Sequence, residues 1–173
     1  GSWGSSEQAA LRADHDTYFW TNISPQHERL NQSKLQGIWG LLENSVTGQA
    51  TAAGTRYSVF NGPIFGDKDK LHRGIRIPSG FFKLVAFVDN GTLSALAFRL
   101  GQEELLVDLP LEKIEADEFG VFQLPVADLG DLVHLDFGPL VAADTFVRRQ
   151  AVTESMVPGH RQKSIGGPGD IVI

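Results

Sequence analysis

Two apolar runs in the middle of the chain form the clearest pattern in the sequence. Residues 81–88 and 93–100 are almost continuously apolar, and Asp89-Asn90-Gly91-Thr92 joins them. Asn-Gly between two such runs is the strongest short-range signal of a β-hairpin, because both central residues of a type I′ turn need positive φ. The two runs therefore predict the antiparallel centre of a β-sheet.

Two flanking segments extend this sheet. Tyr57-Ser58-Val59-Phe60 predicts a strand that ends at an Asn61-Gly62-Pro63 turn. Residues 121–124 predict another short strand, and Pro125 after them suits the first position of a helix. Apolar residues at helical spacing continue that helix: Val126, Leu129, Leu132 and Val133.

The two ends of the chain add further elements. Ser5-Ser6-Glu7 predicts the start of a short helix that runs through Arg12, and residues 18–23 predict a strand. One helical face is built from four apolar residues: Leu35, Ile38, Leu42 and Val46. At the other end, Ile171-Val172-Ile173 either adds an edge strand or forms a tail. The expected fold class is α+β, a mostly antiparallel sheet with packed helices, among them the helix carrying Glu43.

Length and composition favour one globular domain. The chain has 173 residues, 42% of them hydrophobic, which is enough to bury one core. We predict a domain at residues 1–146 and a C-terminal tail or edge strand at 147–173. The absence of cysteine excludes disulfides and cysteine metal sites. No apolar run approaches the roughly 20 residues that span a membrane, and no signal peptide is visible.

The charge is unevenly distributed along the chain. A net charge of −6 argues against a protein that coats nucleic acid. Within residues 56–83, however, only Asp67 and Asp69 oppose a group of cations: Arg56, Lys68, Lys70, Arg73, Arg76 and Lys83. This group predicts a basic track in which Arg56, Arg73 and Arg76 contact nucleic acid. The alternative is that these are ordinary solvated charges.

Oxygen-bearing side chains occur together near the predicted strand and helix of the first fifty residues. Asn22 and Asn31 bracket a polar loop, and Glu43 lies on the helix that follows. Amide and carboxylate oxygens suit a hard cation such as Mg²⁺, or another divalent cation such as Mn²⁺. The strand, loop and helix thus bring two amides and one carboxylate towards one place, which predicts a site for a divalent cation.

These residues lie in three motif pieces: Thr-Asn-Ile-Ser-Pro-Gln at 21–26, Leu-Asn-Gln at 30–32 and Ile-Trp-Gly-Leu-Leu-Glu at 38–43. Together they resemble the core signature of the DNA/RNA non-specific endonucleases, the ββα-metal nucleases that include secreted bacterial sugar-non-specific nucleases and endonuclease G. Fragments at 59–65, 77–83 and 121–126 extend the resemblance over roughly residues 3–146. It implies Mg²⁺-dependent hydrolysis of DNA and RNA, with the metal held by Asn31, its water shell supported by Glu43, and the site shaped by Asn22.

Two features depart from the family pattern. The family's Arg-Gly-His motif, whose histidine is the general base, occurs nowhere in this sequence, and the chain begins just after the place where it would lie. Asn31 and Glu43 are also about one helical turn further apart than in the best-known members. We expect the base to come from an upstream segment or a companion chain, and the isolated chain to be nearly inactive. The alternative is a catalytically inactive fragment that binds protein or nucleic acid.

Two histidines are candidates for a substitute base. We expect His15 to be an exposed loop residue before a strand, and His27 to lie at the surface or contact substrate. Serine-hydrolase and zinc-protease motifs are absent from the sequence. Asn22, Asn31 and Asn90 each begin a glycosylation pattern, and a sugar on the first two would obstruct the site. A bacterial or cytosolic origin is therefore favoured, while the localisation stays undetermined by sequence.

Overall fold

The described part of the chain folds around a large antiparallel β-sheet. A computed structural model describes residues 6–17, 19, 23–25, 56–101, 120–150, 162–166 and 168–172. The strands are β1 (Tyr57–Ile64), β2 (Leu71–His72), β3 (Ile75–Arg76), β4 (Gly80–Asp89), β5 (Thr92–Gly101), β6 (Val121–Leu124) and β7 (Lys163–Ser164). The helices are α1 (Glu7–Thr17), α2 (Val126–Val133), α3 (Pro139–Ala142) and α4 (Thr145–Gln150), and Pro168–Asp170 forms a 3₁₀ turn.

The large sheet has the strand order β1-β4-β5-β6-β7, and every neighbouring pair is antiparallel. The β4–β5 hairpin lies inside it, as the apolar runs predict. Asn90 (φ 47°) and Gly91 (φ 78°) provide the positive φ angles of its turn, and Asp89 pairs with Thr92. This prediction is confirmed, and the fold class is α+β with a mostly antiparallel sheet.

Apolar side chains cover both faces of the sheet. On one face, α2 and the segment around Ala143 pack over a cluster of buried residues: Ile64, Phe82, Leu84, Ala95, Ala97, Leu124, Val126, Leu129 and Ala143. We call this the helix face. The opposite face is built around Val85, Leu96 and Phe98, with Phe87 and Ile171 packed against them. Burial on both faces explains why these two strands are apolar without alternation.

Asp144 joins two helices to each other. Its buried carboxylate accepts hydrogen bonds from the backbone N–H of Val126 (2.7 Å), at the start of α2, and from Phe146 (2.8 Å) and Val147 (3.3 Å), at the start of α4. Helix N-termini carry unsatisfied N–H groups and favour negative charge, so one carboxylate serves both ends. The backbone N–H of Ala95 bonds the Ala143 carbonyl (2.9 Å), which fixes this joint to β5.

The C-terminal segment is attached through Gln123. This fully buried side chain on β6 donates to the Val172 carbonyl (2.8 Å) and accepts from the Val172 N–H (2.9 Å). The sequence leaves an edge strand or a tail open for residues 171–173. In the structure, Lys163–Ser164 forms the edge strand, whereas Ile171 and Val172 have no strand assignment.

Two predictions near β1 and β6 are wrong in their bounds. β1 continues through Asn61-Gly62-Pro63 to Ile64, because β4 pairs with it along its whole length. Proline is tolerated there since, among the described strands, β1 is at the sheet edge. Pro125 is the residue before the helix rather than its first residue.

The N-terminal helix is longer than predicted. It continues past Arg12 and ends at Thr17. His15 therefore lies in its last turn and not in a loop. Phe19 and Ile23 have no strand assignment, so the predicted strand at 18–23 is wrong at these two described positions. The Phe19 ring instead packs edge-on against the His15 ring, with centroids 5.9 Å apart.

Candidate nucleic-acid interface

The predicted catalytic and metal-binding residues lie outside the part of the chain that the structure describes. These are Asn22, Asn31 and Glu43, together with His27. Their roles stay predictions. Among the described residues, no three His, Cys, Asp or Glu side chains are grouped so that they could hold a metal ion.

The described part of the basic track is centred on a small hairpin. β2 and β3 pair with each other in a separate two-stranded sheet, with Leu71 opposite Arg76 and His72 opposite Ile75. Arg73 (φ 52°) and Gly74 (φ 80°) form its turn. All six residues are exposed. We call residues 71–76 the basic hairpin.

The hairpin is anchored at the Ile64 end of β1. The backbone N–H of Ser79 donates to the Ile64 carbonyl (3.0 Å), and the N–H of Ile77 donates to the Lys70 carbonyl (2.9 Å). Before the hairpin, the Asp69 carboxylate accepts from the Gly66 N–H (2.9 Å) and closes a turn. These bonds fix where the hairpin leaves the large sheet.

Arg56 is separated from the hairpin arginines. It is exposed and directly precedes Tyr57, the first residue of β1, whereas the hairpin is anchored at the last residue of that strand. At about 3.3 Å per residue, the two ends of β1 are roughly 23 Å apart. The structure thus brings Arg73 and Arg76 together and places Arg56 at the far end of β1.

Lys83 does not belong to the exposed track. It lies in the middle of β4 opposite Asn61 on one side and Phe98 on the other, and only 2% of its surface is exposed. Counting it with the surface cations is therefore wrong. The signal in the sequence is its position within a run that is apolar on both sides, where each residue of a doubly covered strand is buried.

His15 is a surface residue. Its side chain is 79% exposed, and its Nδ1 lies 3.7 Å from the Asp16 carboxylate. The expected exposure is confirmed, although the residue is helical. Its contacts in the described structure are the neighbouring aspartate and the Phe19 ring, which gives no support for a catalytic base.

Sequence reasoning missed the apolar component of the hairpin. Leu71 is 71% exposed and Ile75 is 58% exposed, although both occupy strand positions. No sequence signal separates them from core residues, because isolated aliphatic residues in a short strand usually pack against a sheet.

The structure is an α+β domain whose basic hairpin exposes two arginines, Arg73 and Arg76. The sequence profile of the DNA/RNA non-specific endonucleases matches residues 4–144. The chain belongs to this family. The mostly antiparallel sheet with few helices agrees with the ββα-metal nuclease fold.

The chain is also similar to an uncharacterized protein, y4fB, of Sinorhizobium fredii (strain NBRC 101917 / NGR234). The two are 32% identical over 151 residues, which cover 83% of this chain and 22% of that protein. The chain thus spans about a fifth of the length of this relative.

Within the described residues, no helix is long and apolar enough to cross a membrane.

Proposed function

We propose that this domain hydrolyses phosphodiester bonds in DNA and RNA without strong sequence preference. The observation that carries the proposal is the family match across residues 4–144. The exposed arginines of the basic hairpin support it, because a nuclease needs local positive charge where the phosphate backbone lies.

The proposal includes a divalent metal. Members of the family depend on one, and the amide of Asn31 with the carboxylate of Glu43 forms an oxygen donor set that fits a hard cation such as Mg²⁺. Asn31 would bind the ion directly and Glu43 through its water shell, while Asn22 shapes the site. The ion would supply positive charge to the phosphate and the leaving oxygen.

The general base is proposed to lie outside these 173 residues, in an upstream segment or a companion chain. The sequence contains no Arg-Gly-His, and the exposed His15 at the end of α1 makes a poor substitute. A positioned base typically contributes about 10²–10⁴-fold to a rate. The isolated chain should accordingly be nearly inactive.

Arg56, Arg73 and Arg76 are proposed to contact the substrate backbone. Two of them share the basic hairpin, and the third lies at the opposite end of β1, a strand roughly 23 Å long by its rise per residue. One phosphate occurs per about 1.7 Å of duplex axis. Contacts at both places would therefore belong to one extended substrate.

A second candidate is a module that binds protein or nucleic acid without cleaving it. The absence of Arg-Gly-His from the sequence favours this alternative. It predicts nucleic-acid binding that never leads to cleavage, even when a segment carrying the base is supplied.

Metal binding tests the proposed site without requiring turnover. Titrating Mn²⁺ into the chain and following the free-ion spin resonance signal should reveal one site that Asn31→Ala removes. Asn61→Ala is the matched control, because Asn61 is an exposed asparagine on β1. Equal Mn²⁺ binding by the native chain and Asn31→Ala would remove Asn31 from the site.

A further inference from the structure

The basic hairpin has a feature that positive charge alone does not explain. It is a two-stranded ribbon with both faces exposed, and each face carries one aliphatic and one nitrogen-bearing side chain. Leu71 pairs with Arg76 on one face, and His72 pairs with Ile75 on the other. An isolated two-stranded hairpin is marginally stable in water. Its exposed aliphatic side chains do not contribute the stabilising free energy that their burial would provide.

A binding partner that covers both faces of the basic hairpin at once would bury both Leu71 and Ile75. A flat protein surface covers one face of a ribbon, whereas a groove with two walls encloses both. The charge on this hairpin favours negatively charged walls, since Arg73 at the turn and Arg76 on β3 are both exposed. The major groove of duplex DNA has phosphate walls and apolar thymine methyl groups on its floor.

The width of the basic hairpin agrees with that of the DNA major groove. Paired strands lie about 4.8 Å apart, and the major groove of B-form DNA, about 12 Å wide, admits a two-stranded β-ribbon. The major groove of A-form RNA is too narrow and deep for side chains to enter. Single-stranded nucleic acid has no groove with two walls that could enclose the hairpin.

We propose that the basic hairpin, residues 71–76, inserts into the major groove of duplex DNA, with Leu71 and Ile75 buried between the groove walls and Arg73 and Arg76 on phosphates. The hairpin thereby gives the domain a preference for duplex DNA over single strands and over duplex RNA. This inference rests on the proposed nucleolytic function and specifies the substrate form that the domain engages best.

The chain contains a matched control hairpin. The β4–β5 turn has the same backbone form, with positive φ at Asn90 and Gly91. Beside it, Val88 (53% exposed) pairs with Leu93 (39% exposed). The residue between Val88 and the turn is Asp89 rather than a cation, so this hairpin has exposed aliphatic residues without the positive charge.

Fluorescence anisotropy in a buffer free of divalent cations tests the inference, since nothing is then cleaved. The probes are labelled duplex DNA of mixed sequence, one of its strands alone, and duplex RNA of the same sequence. The native chain should bind duplex DNA most tightly. Leu71→Ser/Ile75→Ser should weaken duplex-DNA binding roughly tenfold because less apolar surface is buried, without changing the salt dependence that reports phosphate neutralisation.

Leu71→Ser/Ile75→Ser should bind the single strand and duplex RNA with the affinity of the native chain. The control variant, Val88→Ser/Leu93→Ser, should bind all three probes with the affinity of the native chain. Thermal melting checks that each variant is folded, and Leu71→Ala/Ile75→Ala replaces the serine variant if it is not. Equal duplex affinity of the native chain and the hairpin variant overturns the inference and leaves the proposed function intact.

Two other results also contradict the inference. If the hairpin variant changes the sedimentation of the chain from dimer to monomer and leaves DNA binding unaltered, the hairpin is a contact between two copies. If the native chain binds none of the three probes, the proposed function itself fails.

Discussion

The ionisation of Asp144 is subject to opposing influences. Burial raises the pKa of this carboxyl above its ordinary value of 3.8, while the N–H groups of Val126, Val147 and Phe146 and the Arg148 guanidinium act in the lowering direction. Because the net direction is upward, the folded state holds this proton more tightly than the unfolded state does. Its contribution to stability is therefore largest at low pH and declines as pH rises from 3.8 through the raised pKa.

Asp144→Asn should reveal both the hydrogen bonds and this titration. An amide places an NH₂ group against backbone N–H donors, so the free energy of unfolding should fall by about 1–3 kcal/mol. Urea unfolding should be measured over a pH series. The difference in free energy of unfolding between the native chain and the variant should shrink as pH rises above 3.8. An advantage that grows with pH would mean that the hydrogen bonds and Arg148 outweigh burial.

A second residue-scale prediction separates the exposed arginines from buried Lys83. Arg73→Ala/Arg76→Ala should weaken binding to all sequences alike, and should reduce the slope of log affinity against log salt by about 1.8, since each phosphate that is no longer neutralised lowers the slope by about 0.9. Lys83→Met is the comparison variant, because Lys83 is 2% exposed and cannot reach a phosphate at the surface. An unchanged slope in the arginine variant would mean that these are ordinary solvated charges.

The close pairing of β4 and β5 leaves no room for a side chain at Gly80. A Cβ built there would lie 2.5 Å from the Leu100 carbonyl oxygen, which belongs to the backbone of β5 and cannot swing away. Gly80→Ala should therefore lower the free energy of unfolding by roughly 1–3 kcal/mol.

Gly169→Ala is the control for this clash, because a Cβ at Gly169 meets nothing within 4 Å. Its effect should stay within about 0.5 kcal/mol of the native value. Chemical denaturation measures both variants. Equal stability of Gly80→Ala and Gly169→Ala would show that the two strands are not packed as closely as described.

The elements also show what sequence patterns can and cannot predict. Asn90-Gly91 predicts the central hairpin because the turn requirement is local and only few residues meet it. Asn61-Gly62-Pro63 has similar turn chemistry but lies inside β1, since pairing with β4 outweighs local preference. The bond between Asp144 and Val126 cannot be predicted from local sequence either, because 18 residues separate the two.

For the candidate site, sequence and structure inform different parts. The motif pieces around Asn31 identify the family, and residues 4–144 match its profile. The exposed charge at Arg73 follows from the sequence, and the apolar run around Lys83 signals the burial of that residue, whereas the exposure of Leu71 has no such signal. The exposure of Leu71 depends on which faces of its strand the rest of the fold covers, and a two-residue strand does not encode that.

We propose that this domain carries the metal- and substrate-binding part of a nuclease and that its general base comes from another segment. Family membership supports the nuclease class. The absence of Arg-Gly-His from the sequence, and the exposed position of His15 on α1, motivate the external base.

Plasmid cleavage in Mg²⁺ distinguishes an external general base from one within the chain. The chain alone should leave supercoiled plasmid almost intact, and a longer polypeptide or second chain that supplies Arg-Gly-His should restore cleavage, which Asn31→Ala then abolishes. Cleavage by the chain alone that disappears in His15→Ala or His27→Ala would contradict the claim, because the base would then lie within these 173 residues.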